Sequence, residues 1–529
     1  MQQQRQFDCA DSELDIRELL RPEAYGHPVE AIELRETHIS WVLRTGTFAY
    51  KIKKPVKLDF IDTSTLQRRR FLCLEELRLN RRLAPELYVD VVPITRSQGH
   101  LLVGGNGPIV DYAVRMHQFA AADELPALLE DEEVNLEEIA ALGTTLAQFH
   151  LQAPVAPPNR APEKTQQMYD SVLGNLAQLL THLDSPQPAA QLGRLVDWTH
   201  DRADTLEPIF QLREQSGFVR ECHGDLHAAN IVRLKGRLVP FDCIEFDPGL
   251  RWIDVMSDVA FLVMDLASHG RTDLSFALLN RYLEVTGDYD GLRVLPFYAV
   301  YRALVRAKVD ALMVERVPTR AAEFRDRLQR RLKAAQTWTA PERPMLILMH
   351  GASGSGKSWL SGHLAPTLRA VRVRSDLERK RIAGLEPTTT ASARVREGIY
   401  SPAFSHRTYS RLADCAESCL RSGLSVIVDA AFLESADRRQ FLSLAARLQV
   451  LCVIVSCEAD PIRLAQRVDD RAKEHKDASD ATLSVLDAQL REIQPFEAAE
   501  EPCVIHVDTE EPGVVPRVID QISARVLAG

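Results

Sequence analysis

The chain opens with short segments in which apolar and polar residues alternate with a period of two, the signature of half-buried strands. Val29 to Arg35, Ile39 to Arg44 and Thr47 to Lys53 read as strands, with a Thr45-Gly46 turn before the third. From Ser64 to Leu83 the spacing becomes helical, and strands resume around Tyr88–Ile94, Leu101–Val103 and Val110–Met116. After Asn135 the pattern is mostly helical and ends in a stretch rich in Arg, Ala and Leu, Arg316 to Thr337. From Met345 onward it changes again. Met345–His350, Ser425–Asp429, Val450–Ser456 and Val504–Val507 are short apolar runs separated by long helical segments. That alternation predicts a parallel α/β sheet. The fold class expected is multidomain: a β-rich lobe with one helix, then a helical lobe, then an α/β domain.

Two stretches punctuate the pattern. Ala153 to Pro162, APVAPPNRAP, reads as an extended connector. Thr339 to Pro344, TAPERP, precedes the strand MLILMH and marks the main boundary. The expected division is an N-terminal extension over 1–24, a first domain over 25–338 (β-lobe about 25–116, helical lobe about 117–338), a linker over 339–344, and a last domain over 345–529. A length of 529 residues requires such a division, because one hydrophobic core rarely grows past about 250–300 residues.

Composition narrows the function classes. With 45% hydrophobic and 26% charged residues the chain reads as a globular protein. A net charge of −10 and a pI near 5.9 argue against nucleic acid as a partner, since backbone binding needs a basic face. A local basic pocket remains compatible with that charge. Nine scattered cysteines without a CxxC pair fit a reducing compartment, so a cytoplasmic location is expected. The segment Met1 to Asp15 has no apolar core, and no apolar run approaches the ~18 residues of a membrane span. Neither a signal peptide nor a membrane partner is expected.

Residues 223–230 read HGDLHAAN. Asp225 and Asn230 stand five apart, the spacing that lets a carboxylate take or orient the proton of an attacking hydroxyl while an amide oxygen ligates Mg²⁺. Asp242, twelve residues beyond Asn230 in VPFDCIEFD, supplies a second hard-oxygen metal ligand. Such a site also needs a lysine for the nucleotide phosphates and a helix glutamate to hold it. In Phe48-Ala49-Tyr50-Lys51, Ala49 and Lys51 share a strand face. Lys51 is therefore the candidate, with Lys53 on the same face as alternative; Glu76 is the candidate partner, with Glu75 next. No GxGxxG precedes Lys51.

Residues 351–358 read GASGSGKS, a complete GxxxxGK[ST] after a strand and before a helix. Gly351, Ala352, Ser353, Gly354, Ser355 and Gly356 would wrap phosphates with backbone N–H groups. Lys357 would bridge the β- and γ-phosphates and Ser358 would ligate Mg²⁺. Asp376 ends VRVRSD and Asp429 ends VIVD. Arg463, Arg467 and Arg471 recur every four residues, on one helix face.

On these residues the chain resembles two kinase groups. HGDLHAAN and FDCIEFDPGLRWIDVMSDVAFL resemble the aminoglycoside phosphotransferase family, over roughly residues 25–335. This implies a protein-kinase-like fold, Asp225 as catalytic base, Asn230 and Asp242 on Mg²⁺, His223 orienting the loop, and Asp258-Val259-Ala260 as a structural helix start. It leaves Glu245 open between substrate, second-metal and structural roles. Members of that family can lack the glycine loop. Residues from about 343 to 529 resemble small P-loop kinases such as gluconate kinase, zeta toxin and polynucleotide kinase. This implies Asp376 beside an acceptor hydroxyl, Arg379 and Lys380 as candidates for an anionic acceptor, Asp429 as a metal or substrate carboxylate, and Arg467 and Arg471 as lid arginines. The combined expectation is a bifunctional kinase with ATP and Mg²⁺ as cofactors and small-molecule hydroxyl groups as acceptors. Two alternatives stand beside it: one half regulating the other through bound ATP, or a P-loop half acting on nucleic-acid ends.

Overall fold

The computed structural model describes residues 14–58, 61–157, 174, 186–339, 343–386, 389, 398–474 and 482–528, without the side chains of 186–189, 471–474 and 528. The chain forms two compact units. The first comprises described residues within 1–134, 152–158 and 217–258; the second comprises those within 135–151, 159–216 and 259–529. The expected linker at 339–344 falls inside the second unit, with 340–342 outside the described residues.

The first unit is built on a six-stranded antiparallel sheet. Its order is Glu33–Glu36, Ser40–Arg44, Phe48–Lys53, Ile109–His117, Tyr88–Ser97, His100–Val103. The period-two pattern works as expected on the central strand. Tyr50 and Ile52 enter one core with Leu43, Ile94, Leu101 and Ala113. Ala49 faces the other core, with Cys73, Tyr88 and Val114. Residues 14–24, set apart from the sequence as an extension, are instead part of the first core. Leu14, Leu19 and Ala24 are buried there, and Arg21 Nη2 donates to Leu101 O at 2.9 Å.

The helix Leu66–Asn80 is capped by Thr65, which accepts from Arg68 N at 3.3 Å. It buries Arg69, Leu72, Cys73, Glu76, Leu79 and Asn80, spaced three or four apart. Two charges on a buried face require partners. Arg69 finds both oxygens of Asp111 at 2.9 Å, and Glu76 finds two lysines of the central strand. The same unit holds two further strand pairs. Val219–Glu221 runs antiparallel to Trp252–Asp254, and Ile231–Leu234 to Arg237–Pro240. HGDLHAAN spans the loop between the first strands of these two pairs.

The second unit begins with long helices, among them Leu136–Gln152, Thr272–Thr286, Leu295–Arg316 and Ala321–Thr339. It continues as a five-stranded parallel sheet in the order Ala370–Arg374, Ser425–Asp429, Met345–His350, Leu451–Glu458, Val504–Asp508. Its central strand is apolar almost throughout because both faces are covered. Ile347 and Met349 pack with Leu360 and Leu364 of the helix Lys357–Thr367 and with Val518 and Ile522 of the C-terminal helix. A protein-kinase-like region followed by a parallel P-loop sheet is the fold expected. None of the described helices is long and apolar enough to cross a membrane. The eight described cysteines form no disulfide.

Candidate active sites

In the first unit the side chains nominated from the sequence converge. His223 and Gly224 donate their backbone N–H groups to the buried Asp258 carboxylate at 2.8 and 3.0 Å. The His223 ring is held at both nitrogens: Nε2 faces Phe241 O at 2.9 Å and Nδ1 accepts from Asp225 N at 3.3 Å. Burial lowers its pKa, so the neutral ring serves as a brace. The Asp225 side chain, thus aimed, is partly exposed. It accepts from Asn230 Nδ2 at 3.0 Å, and His227 Nε2 stands 3.3 Å away. With its nitrogen turned to Asp225, Asn230 has Oδ1 as the atom it can offer a cation.

Asp242 sits at φ +64, a conformation uncommon for a non-glycine residue. Its N–H donates to Tyr88 Oη at 3.2 Å, and the next N–H, of Cys243, donates to Asn80 Oδ1 at 2.8 Å. These bonds hold the turn, and the Asp242 carboxylate remains 39% exposed. Lys51 Nζ reaches it at 2.5 Å and Glu76 Oε1 at 2.9 Å. Lys53, fully buried, is locked between Glu76 at 2.5 Å and Glu245. One glutamate therefore holds both lysines, and their depths separate them. Burial works against ionisation of Lys51, but Asp242 and Glu76 outweigh it and hold its pKa well above the usual value. Burial likewise raises Glu76, yet the two ammonium groups prevail and bring it to about 2. Glu245 goes the other way, pushed up chiefly by burial. Glu75 turns elsewhere, to Arg78 and Arg251 at 2.6 and 2.9 Å. Tyr88, Asn80 and His227 were missed in the sequence, where nothing local distinguishes them from ordinary core residues.

In the second unit, GASGSGKS forms a tight loop ahead of the helix Lys357–Thr367. Gly351 and Gly354 are required as glycines. Both have positive φ, and an added Cβ would lie 2.4 Å from Cys457 O and 2.7 Å from Leu464 O. Lys357 Nζ folds back on Ala352 O at 2.8 Å, with Ser355 Oγ at 3.5 Å. Gln489 Oε1 accepts from Ser353 N at 2.8 Å. The loop borders a cleft of about 300 Å³ that is also lined by Ser358, Arg374, Asp376, Arg379, Tyr400, Asp429 and Arg467. Asp429 is buried at a strand end, 3.1 Å from Ser361 Oγ and 4.0 Å from Arg374 Nε. Arg379 is buried beside Tyr400 and donates to Ile399 O at 2.7 Å. Lys380 is buried as well. Arg467 bonds Gly354 O at 3.2 Å and Thr509 Oγ1 at 3.3 Å, which puts it beside the loop. Arg463 is exposed and 3.7 Å from Glu510; the Arg471 side chain lies outside the described residues. Arg374, Gln489 and Tyr400 join the cleft without having been singled out from the sequence.

Both donor sets suit nucleotide and magnesium. One unit holds hard oxygens on Asp242, beside Lys51, and on Asn230, beside Asp225; the other holds a glycine-formed phosphate loop with Ser358 and Asp429 on its cleft. The fold and these sites define a kinase. Residues 61–298 match the model of a phosphotransferase enzyme family (APH), and residues 346–496 match that of an AAA domain (AAA_33). The chain belongs to the same family as the uncharacterized protein Rv2004c of Mycobacterium tuberculosis, to which it is 30% identical over 471 residues, 88% of this chain and 91% of the relative. The uncharacterized protein Mb2027c of Mycobacterium bovis matches to the same extent. Among solved structures, a choline/ethanolamine kinase family protein from Mesorhizobium loti aligns at 13% identity over 58% of this chain and 93% of its own, with a TM-score of 0.32. A gluconokinase from Sinorhizobium meliloti aligns at 18% identity over 35% of this chain and 96% of its own, with a TM-score of 0.26.

Proposed function

We propose that the chain is a bifunctional ATP-dependent phosphotransferase that phosphorylates hydroxyl groups of small molecules at two separate Mg-ATP sites. The observation that carries this reading is the completeness of both residue sets, each gathered within one compact unit. In the first, Asp225 is the base that takes the acceptor's proton, braced by His223 through its own N–H. Asn230 and Asp242 would hold magnesium, and Lys51, kept charged by Glu76, would bind phosphate oxygens. Lys53 and Glu245 form a buried ion pair behind it, which supports a structural role for Glu245. In the second, residues 351–356 with Lys357 would cradle the phosphates. Ser358 and Asp429 are the metal-side oxygens, Asp376 the carboxylate for the acceptor proton, and Arg467 the cation beside the loop. Bound at either site, magnesium would neutralise phosphate charge and orient the transferring group.

The test is ATP consumption by the full-length chain against a panel of hydroxylated metabolites, with two single variants. Asp225→Asn should lower turnover of one set of acceptors by about 10²-fold or more and spare the other. Lys357→Ala should do the reverse. Cross-effects above about tenfold would favour the reading in which one half regulates the other.

A further inference from the structure

The second unit contains a chain of polar contacts that neither sequence motif includes. Among the described residues the strand Ala370–Arg374 lies at the edge of the parallel sheet, with no strand on its outer side. Asn280, on the helix Thr272–Thr286, takes that place. Its Nδ2 donates to Ala370 O at 3.0 Å and its Oδ1 accepts from Arg372 N at 2.7 Å. One helical turn further on, the buried Glu284 receives Arg372 through Nε at 3.1 Å and Nη2 at 2.5 Å. The debt is returned at the end of the same helix, where carbonyls lack helical donors. Arg381 donates to Glu284 O at 2.6 Å and Arg411 to Gly287 O at 3.2 Å.

Arg372 has one arm left. Its Nη1 donates to Ser358 O at 3.3 Å, in the first turn of the helix that the phosphate loop opens. Gly362, one turn along that helix, leaves room for it: an added Cβ would lie 3.0 Å from the same Nη1. Ser361 Oγ is 3.2 Å from Ser358 O and 3.1 Å from Asp429 Oδ2, sharing its single hydrogen between them. Glu284, Arg372, the Ser358 backbone, Ser361 and Asp429 thus form one connected set. Glu284 lies within the residues that match the phosphotransferase family, outside the P-loop match.

We propose that Glu284 and Arg372 are positioning residues for the P-loop site: Glu284 fixes the Arg372 guanidinium, and Arg372 holds the first turn of the Lys357–Thr367 helix where nucleotide binding requires it. This rests on the reading of that loop as a nucleotide site. The P-loop site is accordingly completed by a helix that its own family model does not cover, and removing that helix removes a support of the loop.

The experiment titrates the full-length chain with Mg-AMP-PNP by calorimetry and follows the component that Lys357→Ala removes. Arg372→Met leaves the buried Glu284 to the longer 3.4 Å contact with the partly exposed Arg281, so it should lower the thermal midpoint as well as the affinity. Adding Glu284→Gln removes that charge without restoring the bond to Ser358 O. In the double variant the midpoint should recover while affinity stays roughly threefold to tenfold weak, the worth of one hydrogen bond. Glu284→Gln alone, the mildest change, should weaken affinity about twofold to threefold. A double variant that binds as tightly as the parent overturns the inference, whatever its midpoint. A parent chain with no component sensitive to Lys357→Ala overturns the nucleotide-site reading itself, and the inference with it.

Discussion

Lys53→Met and Lys51→Met should separate two lysines that share a strand face and a glutamate. Lys53 is 0% exposed, between Glu76 and Glu245. Deleting one partner of a buried ion pair costs about 3–5 kcal/mol. Here Glu76 keeps Lys51 at 2.9 Å, and Glu245, already pushed up by burial, can take a proton. The lower end, about 3 kcal/mol, is therefore expected. With urea slopes of about 1–3 kcal/mol/M, the midpoint should fall by roughly 1–3 M. Unfolding can be followed at Trp41, which pairs with Ile52 across the adjacent strand. The pH adds a sign. A carboxyl with a raised folded pKa binds more protons folded than unfolded, so the Lys53→Met deficit should shrink as pH falls toward 5 and grow toward 8. Lys51→Met leaves Glu76 paired with Lys53 and frees an Asp242 that water already reaches. Its midpoint should move less, and Mg-AMP-PNP binding at the first site should be lost. The reverse pattern, a stable Lys53→Met chain without nucleotide affinity and a destabilised Lys51→Met chain, would refute the assignment.

His350, buried with Nδ1 3.0 Å from Ser456 Oγ, is brought to about 4 by burial and then by Arg438 and Lys357. Below pH 6.5 the unfolded chain takes up a proton that the folded ring refuses, so stability should fall between pH 6.5 and about 4; His350→Asn should flatten that slope in urea melts across the range. Asp258→Asn should lower turnover at the first site by about tenfold or more, because the His223 and Gly224 N–H groups donate to separate carboxylate oxygens and an amide sets an NH2 donor against one of them. Hydrogen exchange at residues 222–230 should rise with it; unchanged exchange and turnover would count against the loop-holding role.

The parts legible in the sequence are those whose chemistry is local. HGDLHAAN and GASGSGKS each carry their reactive groups and loop glycines within eight residues, and the alternation of Phe48–Lys53 assigns its faces. What escaped depends on contacts far along the chain. The sequence puts Lys51 ahead of Lys53 but leaves both on one face; what separates their depths is Glu245, which meets Lys53 across 192 positions. Residues 14–24 look polar enough to be an extension, yet Leu14 and Leu19 fill a core that only the folded sheet creates. The strand from Val29 begins later, at Glu33, after the turn-rich Gly26-His27-Pro28. In AVRVR nothing marks Arg372 as different from Arg374. Their partners, Glu284 and Asp429, lie 88 and 55 residues away in opposite directions.

The claim of two nucleotide sites is tested most directly by stoichiometry, which needs no knowledge of the acceptors. Equilibrium dialysis of the full-length chain against saturating Mg-AMP-PNP should give two nucleotides bound per chain. Asp242→Ala should leave one and Lys357→Ala should leave the other, with neither variant unfolded at the assay temperature. A parent chain that binds a single nucleotide, or a single substitution that abolishes both, would contradict the account.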